Sequence, residues 1–82
     1  MRLESLVADR IGEELQRRIV QGVYVQGSLI PPERTLAKEF ACSRSTVSRA
    51  LAGLARGGLI ERRPGRGTRV LPLGGRATPA LL

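Results

Sequence analysis

The 82-residue chain has no histidine and no tryptophan, one cysteine, and only two aromatic residues, Tyr24 and Phe40. Each absence excludes something. Without histidine and with Cys42 alone, there is no metal cluster, no catalytic triad and no thiol–imidazole pair. The carboxylate pairs Glu13/Glu14 and Glu4/Asp9 have no nucleophile or histidine beside them. Neither an enzyme nor a cofactor is expected. A single cysteine also forbids an intrachain disulfide, which suits a reducing compartment. The core has to be built from Leu, Ile, Val and Ala. A chain this short forms one small domain, with no room for a second domain that holds a metabolite. No apolar run approaches the roughly 20 residues of a membrane helix. Glu4 and Asp9 come too early for a secretory leader. The expected location is the cytoplasm.

What is present is positive charge, unevenly placed. The formal net charge is +7. Residues 1–43 carry six basic side chains against six acidic ones, whereas residues 44–82 carry eight arginines against Glu61 alone. All but one of the basic residues are arginine, with Lys38 the exception. Arginine offers a planar fork that matches phosphates and guanine edges, so the second half reads as a polyanion-binding surface.

Leu3, Val7, Ile11, Leu15 and Ile19 recur every four residues. This spacing predicts a first helix of about twenty residues with one apolar stripe committed to the core. "GVYVQG" is breaker-rich and predicts a turn, and Leu29 and Ile30 leave space only for a very short strand. Pro31 and Pro32 are expected to open a second helix, with Glu33 at the positive end of its dipole and Leu36, Ala37 and Phe40 inward. "ACS" closes that helix, and Ser43 caps the next. Val47, Ala50, Leu51 and Leu54 give the third helix its buried face, and Gly57 or Gly58 ends it in a left-handed conformation. Leu59–Ile60 and Val70–Leu71 then flank "RRPGRG", the pattern of a β-hairpin with a basic tip. The tail "PLGGRATPALL" has the composition of a linker and is expected to be loosely ordered.

Two short helices joined by a tight turn and followed by a basic hairpin make a winged helix-turn-helix, an α+β fold. Residues 1–72 form the domain, with the helix-turn-helix at 33–52 and the wing at 59–71. The major groove, about 12 Å wide, admits one helix with its N-terminal residues leading. Those residues are Ser43, Arg44, Ser45 and Thr46, then Ser48 and Arg49 one turn on. A tip made of Pro64, Gly65, Arg66 and Gly67 can approach the backbone closely and set Arg66 in or beside a minor groove.

The stretch "IPPERTLAKEFACSRSTVSRALAGLARGGLIERRPGRGTRV" resembles the N-terminal domain of the GntR family of bacterial regulators. The family pattern runs approximately L-P-S-E-R-x-L-A, V-S-R-x-T-V-R-x-A-L and G-L-I-x-R-R-x-G-x-G-T-x-V. With the preceding helix, the resemblance covers residues 3 to about 72. It implies that Arg34 reaches the DNA from the second helix and that Arg44 reads guanine. It implies phosphate contacts for Ser43, Ser45 and Thr46, and wing-tip roles for Gly65 and Gly67. It also implies double-stranded operator DNA as partner, bound by two copies on a palindrome.

Two departures qualify it. The family usually has arginine where this chain has Ser48, and here the arginine is Arg49, about 100° further round the helix. That position suits a flanking phosphate better than a base. Pro64 stands where a polar residue is common, which stiffens the wing and removes one donor. Family members also normally continue into an effector-binding and dimerising domain. Residues 73–82 read as a linker towards it, so the chain is expected to be a DNA-binding fragment rather than an unusually short regulator.

Plainer roles are assigned to the rest. Arg17, Arg18 and Arg56 read as solvated helix faces, and Cys42 as a small core filler. Arg62 and Arg63 alternate on a strand, so one of them points at DNA, and Arg69 reads either way. A winged helix used as a protein-interaction module is the main rival, but such faces tend to be neutral or acidic. A non-specific nucleic-acid binder, RNA included, is the second. The hydroxyls around Arg44 favour reading of a duplex.

Overall fold

Leu15 and Ile19 stand one turn apart on the first helix and are both fully buried. They anchor an architecture that the computed structural model describes for residues 3–72. The order is α1 (Leu3–Val20), α2 (Glu33–Phe40), α3 (Arg44–Arg56), β1 (Ile60–Arg63) and β2 (Gly67–Val70). The two strands pair antiparallel, from Ile60 opposite Val70 to Arg63 opposite Gly67. A single bridge, Leu29 opposite Arg69, adds a short third rung. This is the winged helix-turn-helix that the sequence predicts. The expectation for the tail at 73–82 lies outside the described residues.

The core joins Ile11, Leu15 and Ile19 of α1 to Leu36 and Ala37 of α2. From the other side come Val47, Ala50, Leu51 and Leu54 of α3, with Ile30, Ile60 and Val70 below. Ile60 and Val70 are register partners, so both fall on the inward face of the hairpin. Phe40 and Cys42 are half-buried against this cluster.

The stripe on α1 departs from expectation at its start. Leu3, Leu6 and Val7 are 75%, 47% and 39% exposed, while Ala8 is buried. The cause is geometric. At about 100° per residue, each four-residue step advances about 40° round the helix, so a stripe anchored at Ile11–Ile19 has rotated off the core by Val7 and further by Leu3.

Both ends of α2 also differ in detail. Pro32 is its N-cap rather than a helical residue, extended at φ −66° and ψ 161°, and Glu33 is the first helical position. The far end turns through Ala41 in the left-handed region at φ 54°, where the Cys42 N–H donates to the Ala37 carbonyl at 3.0 Å. At the start of α3, the Thr46 N–H donates to Ser43 Oγ at 3.1 Å. At its end Gly57 keeps right-handed geometry, and Gly58, at φ 82°, takes the left-handed position that releases the chain into β1.

Arg18 is not the solvated residue the sequence suggested. Its Nε donates to Glu14 Oε2 at 2.8 Å, Nη1 to the Tyr24 hydroxyl at 2.7 Å, and Nη2 to Glu39 Oε2. The guanidinium also lies over the Phe40 ring, 5.2 Å from its centre. One side chain thus pins α2 to the end of α1. Arg17 remains exposed, bonded to Glu14 and Gln21 on its own helix and the turn after it.

Candidate nucleic-acid interface

An open groove runs between the N-terminus of α2, the N-terminus of α3 and the hairpin. It is lined by Arg34 and Thr35, by Arg44, and by Arg62, Arg63, Pro64, Gly65 and Gly67 of the wing. Three sites separated in sequence, around residues 34, 44 and 65, therefore face one concavity.

Capping builds the α3 side. Ser43 holds the Thr46 N–H, so the helix starts at Arg44 and its first turn projects Arg44 and Ser45 to solvent. Ser43 is itself exposed and lies 3.2 Å, oxygen to oxygen, from Ser45. Thr46, unlike its neighbours, is buried, and its hydroxyl meets Ser43 Oγ at 2.9 Å. The fourth residue of the capped segment faces back toward the core, so Thr46 braces the cap.

Ser48 and Arg49 separate as their 100° offset implies, but to unexpected partners. Ser48 is half-buried and its Oγ accepts from Arg62 Nη2 at 3.2 Å. Arg49 donates from Nη1 to Ser5 Oγ at 3.3 Å, so it turns toward α1.

The wing side is a tight turn. The Arg66 N–H donates to the Arg63 carbonyl at 2.9 Å across Pro64 and Gly65, and Gly65 has φ 75°. Proline second and a positive-φ glycine third is the pattern of a type II turn. Gly67 has φ 94°, and a Cβ there would touch Leu29 Cδ2 at 3.6 Å. Arg66 stands exposed at the tip. Arg69 donates to the Gly27 carbonyl at 2.7 Å, which ties β2 to the turn after α1.

Arg62 and Arg63 do point to opposite faces. Arg63 is exposed and bonds Glu61, its neighbour two residues back on the same face, at 3.2 Å. Arg62 shares the face of Ile60 and reaches inward to Glu33 Oε2 at 2.5 Å and to the Ser48 carbonyl at 3.3 Å. Sequence reasoning missed this cluster. The sequence assigns Glu33 only a role at the helix dipole, and the period-2 alternation that sends Arg62 inward is the available signal.

Among the described residues, no group of His, Cys, Asp and Glu could hold a metal ion, and no helix is long and apolar enough to cross a membrane.

A family model described as "Bacterial regulatory proteins, gntR family" matches residues 7–70. The HTH-type transcriptional regulator YieP of Escherichia coli is 39% identical over 62 residues, 76% of this chain and 27% of that protein. The HTH-type transcriptional regulator GmuR of Bacillus subtilis is 44% identical over 61 residues, 74% of this chain and 26% of that protein. The chain thus spans about a quarter of the length of these curated relatives. Among solved structures, the AraR DNA-binding domain in complex with operator ORE1 matches with TM-score 0.76 and 33% identity, over 78% of each chain. A GntR family transcriptional regulator from Listeria monocytogenes matches with TM-score 0.75 and 26% identity, over 79% of this chain and 57% of that one. With the family pattern running through both helices and the wing of the same fold, the chain belongs to the gntR family of bacterial regulatory proteins.

Proposed function

We propose that this chain binds operator DNA in a sequence-specific way and serves to regulate bacterial transcription. The observation that carries the reading is the shared groove, where Arg34, Arg44 and the wing glycines converge. In this reading α3 enters the major groove with Arg44 leading, because that groove, about 12 Å wide, admits one helix and exposes guanine acceptors to an arginine fork. Ser43 and Ser45 contact phosphates beside it. The wing tip, residues 63–67, meets the minor groove or the backbone and carries Arg66 there. The solved AraR domain, of the same fold, is in complex with operators, which supports a duplex over RNA. The excess of arginine in the second half disfavours a protein-interaction role.

Two copies occupy a palindrome, while the chain alone is a monomer or weak dimer. Among the described residues, Leu3, Leu6 and Val7 are exposed at the start of α1 and Val20, Val23, Val25 and Leu29 at and beyond its end, but side chains split between two places fall short of the roughly 1,200 Å² of a stable interface. A tight dimer in sedimentation equilibrium without DNA would contradict this. The function itself is tested by enriching duplexes from a randomised pool with the 82-residue chain. A shared half-site in the enriched pool is expected. Recovery of unbiased sequence would overturn specificity.

A further inference from the structure

Arg62 is the one wing-strand residue whose guanidinium reaches both helices of the helix-turn-helix. Its Nη2 bonds Glu33 Oε2, at the first position of α2, and Ser48 Oγ in α3, and its Nη1 bonds the Ser48 carbonyl. Its side chain is about one-third exposed, as is that of Glu33, and both line the groove that holds Arg34 and Arg44. A small hydroxyl at Ser48 leaves the guanidinium space beside α3, and the Glu33 carboxylate neutralises it.

We propose that Arg62 is a positioning residue for DNA recognition. It fixes the angle between the wing, α2 and the recognition helix, and Glu33 withholds its charge from the DNA backbone. This rests on the DNA-binding reading above and assigns a residue that acts on base preference without touching a base. The planar fork matters, because two nitrogens held rigidly apart reach the three acceptors, whereas an ammonium has its three donors on a single nitrogen. Glu33 has a second consequence. A carboxylate in a basic groove lowers affinity for any duplex, so its pairing with Arg62 favours selective over indiscriminate binding.

The test uses the full chain, a duplex enriched by it from a randomised pool, and unselected duplex of equal length. Salt dependence is measured on both. The double variant Arg62→Ala/Glu33→Gln preserves the net charge of the groove. It is expected to match wild type in salt slope and in affinity for unselected duplex, yet to lose about fivefold or more on the enriched duplex, as coupled contacts do when removed. Arg62→Lys keeps charge and loses the fork, so the same selective loss is expected. The single variant Glu33→Gln retains the Arg62 side chain, which guards against a double variant that fails to fold. It frees the guanidinium for phosphate, and should steepen the salt slope by about one unit while raising affinity for unselected duplex. Rescue by lysine together with a shallower slope in the double variant would make Arg62 a phosphate ligand and overturn the proposal. Undiminished preference for the enriched duplex in the double variant would overturn it too. If the wild-type chain itself shows no preference between the two duplexes, the DNA-recognition reading fails first and this inference falls with it.

Discussion

Ser43 Oγ accepts the Thr46 N–H at 3.1 Å and lies 2.9 Å from the Thr46 hydroxyl, so the residue that starts the recognition helix is braced by one buried beneath it. This arrangement gives Ser43 two separable roles. Ser43→Ala should lower stability by about 1 kcal/mol through loss of the cap, read as a lower thermal midpoint. Ser43→Asp should keep the cap and the midpoint but weaken duplex binding, because it adds a negative charge beside the proposed phosphate contact. Equal binding by the aspartate variant would show that Ser43 is only a cap.

The turn between the two helices stores strain that can be removed. Ala41 sits at φ 54°, is exposed, and ends α2 where glycine is the usual residue. Ala41→Gly should stabilise the fold by roughly 0.5–1 kcal/mol, since the left-handed penalty of about 1–2 kcal/mol is partly offset by the freer unfolded chain. Urea midpoints would show it. Destabilisation instead would mean that the alanine methyl makes a contact worth more than the strain.

The sequence made the inner half of the fold legible because burial there follows strict periodicity. Val47, Ala50, Leu51 and Leu54 occupy one helical face, and all four are buried. The outer end of α1 misled because a four-residue repeat resembles a stripe on paper while drifting round the real helix, which leaves Leu3 and Val7 exposed. The groove was legible in outline from its arginines and glycines. What stayed hidden was which arginines pair with carboxylates, because Arg18–Glu39 and Arg62–Glu33 join residues distant in sequence. Charge counts treat every arginine as available. Packing pairs these two across the fold, and Glu14 and Glu61 engage Arg17 and Arg63 locally.

Glu14 sets an acid limit. It accepts from Arg17 at 2.6 Å and from Arg18 at 2.8 Å, and these bonds hold its carboxyl down from the ordinary 4.5 to about 2. A depressed carboxylate stabilises the fold above its unfolded value, and that contribution is lost as pH falls from 4.5 through about 2. Glu14→Gln should therefore unfold more easily than wild type at pH 6, with the difference shrinking towards pH 2. A gap that stayed constant across that window would mean the carboxylate charge contributes nothing.

The wing should behave as an electrostatic contact held by a stiff turn. Arg66→Ala is expected to weaken every duplex alike and reduce the salt slope by about one unit. Gly67→Val should do similar damage, because a φ of 94° is strained for a β-branched residue. An unchanged slope for Arg66→Ala would place the wing away from the DNA.

The most direct test of base reading by Arg44 compares wild type with Arg44→Ala on the enriched duplex and on its single-base-pair variants, at fixed salt. Arg44 opens the recognition helix and is exposed at the groove. Wild type should lose about 1–3 kcal/mol at one guanine-containing pair in each half-site, and Arg44→Ala should be indifferent to that same pair while still discriminating at others. Uniform weakening of Arg44→Ala across all the duplexes, random sequence included, would contradict it: Arg44 would then hold phosphate, and the helix would not read the sequence through it.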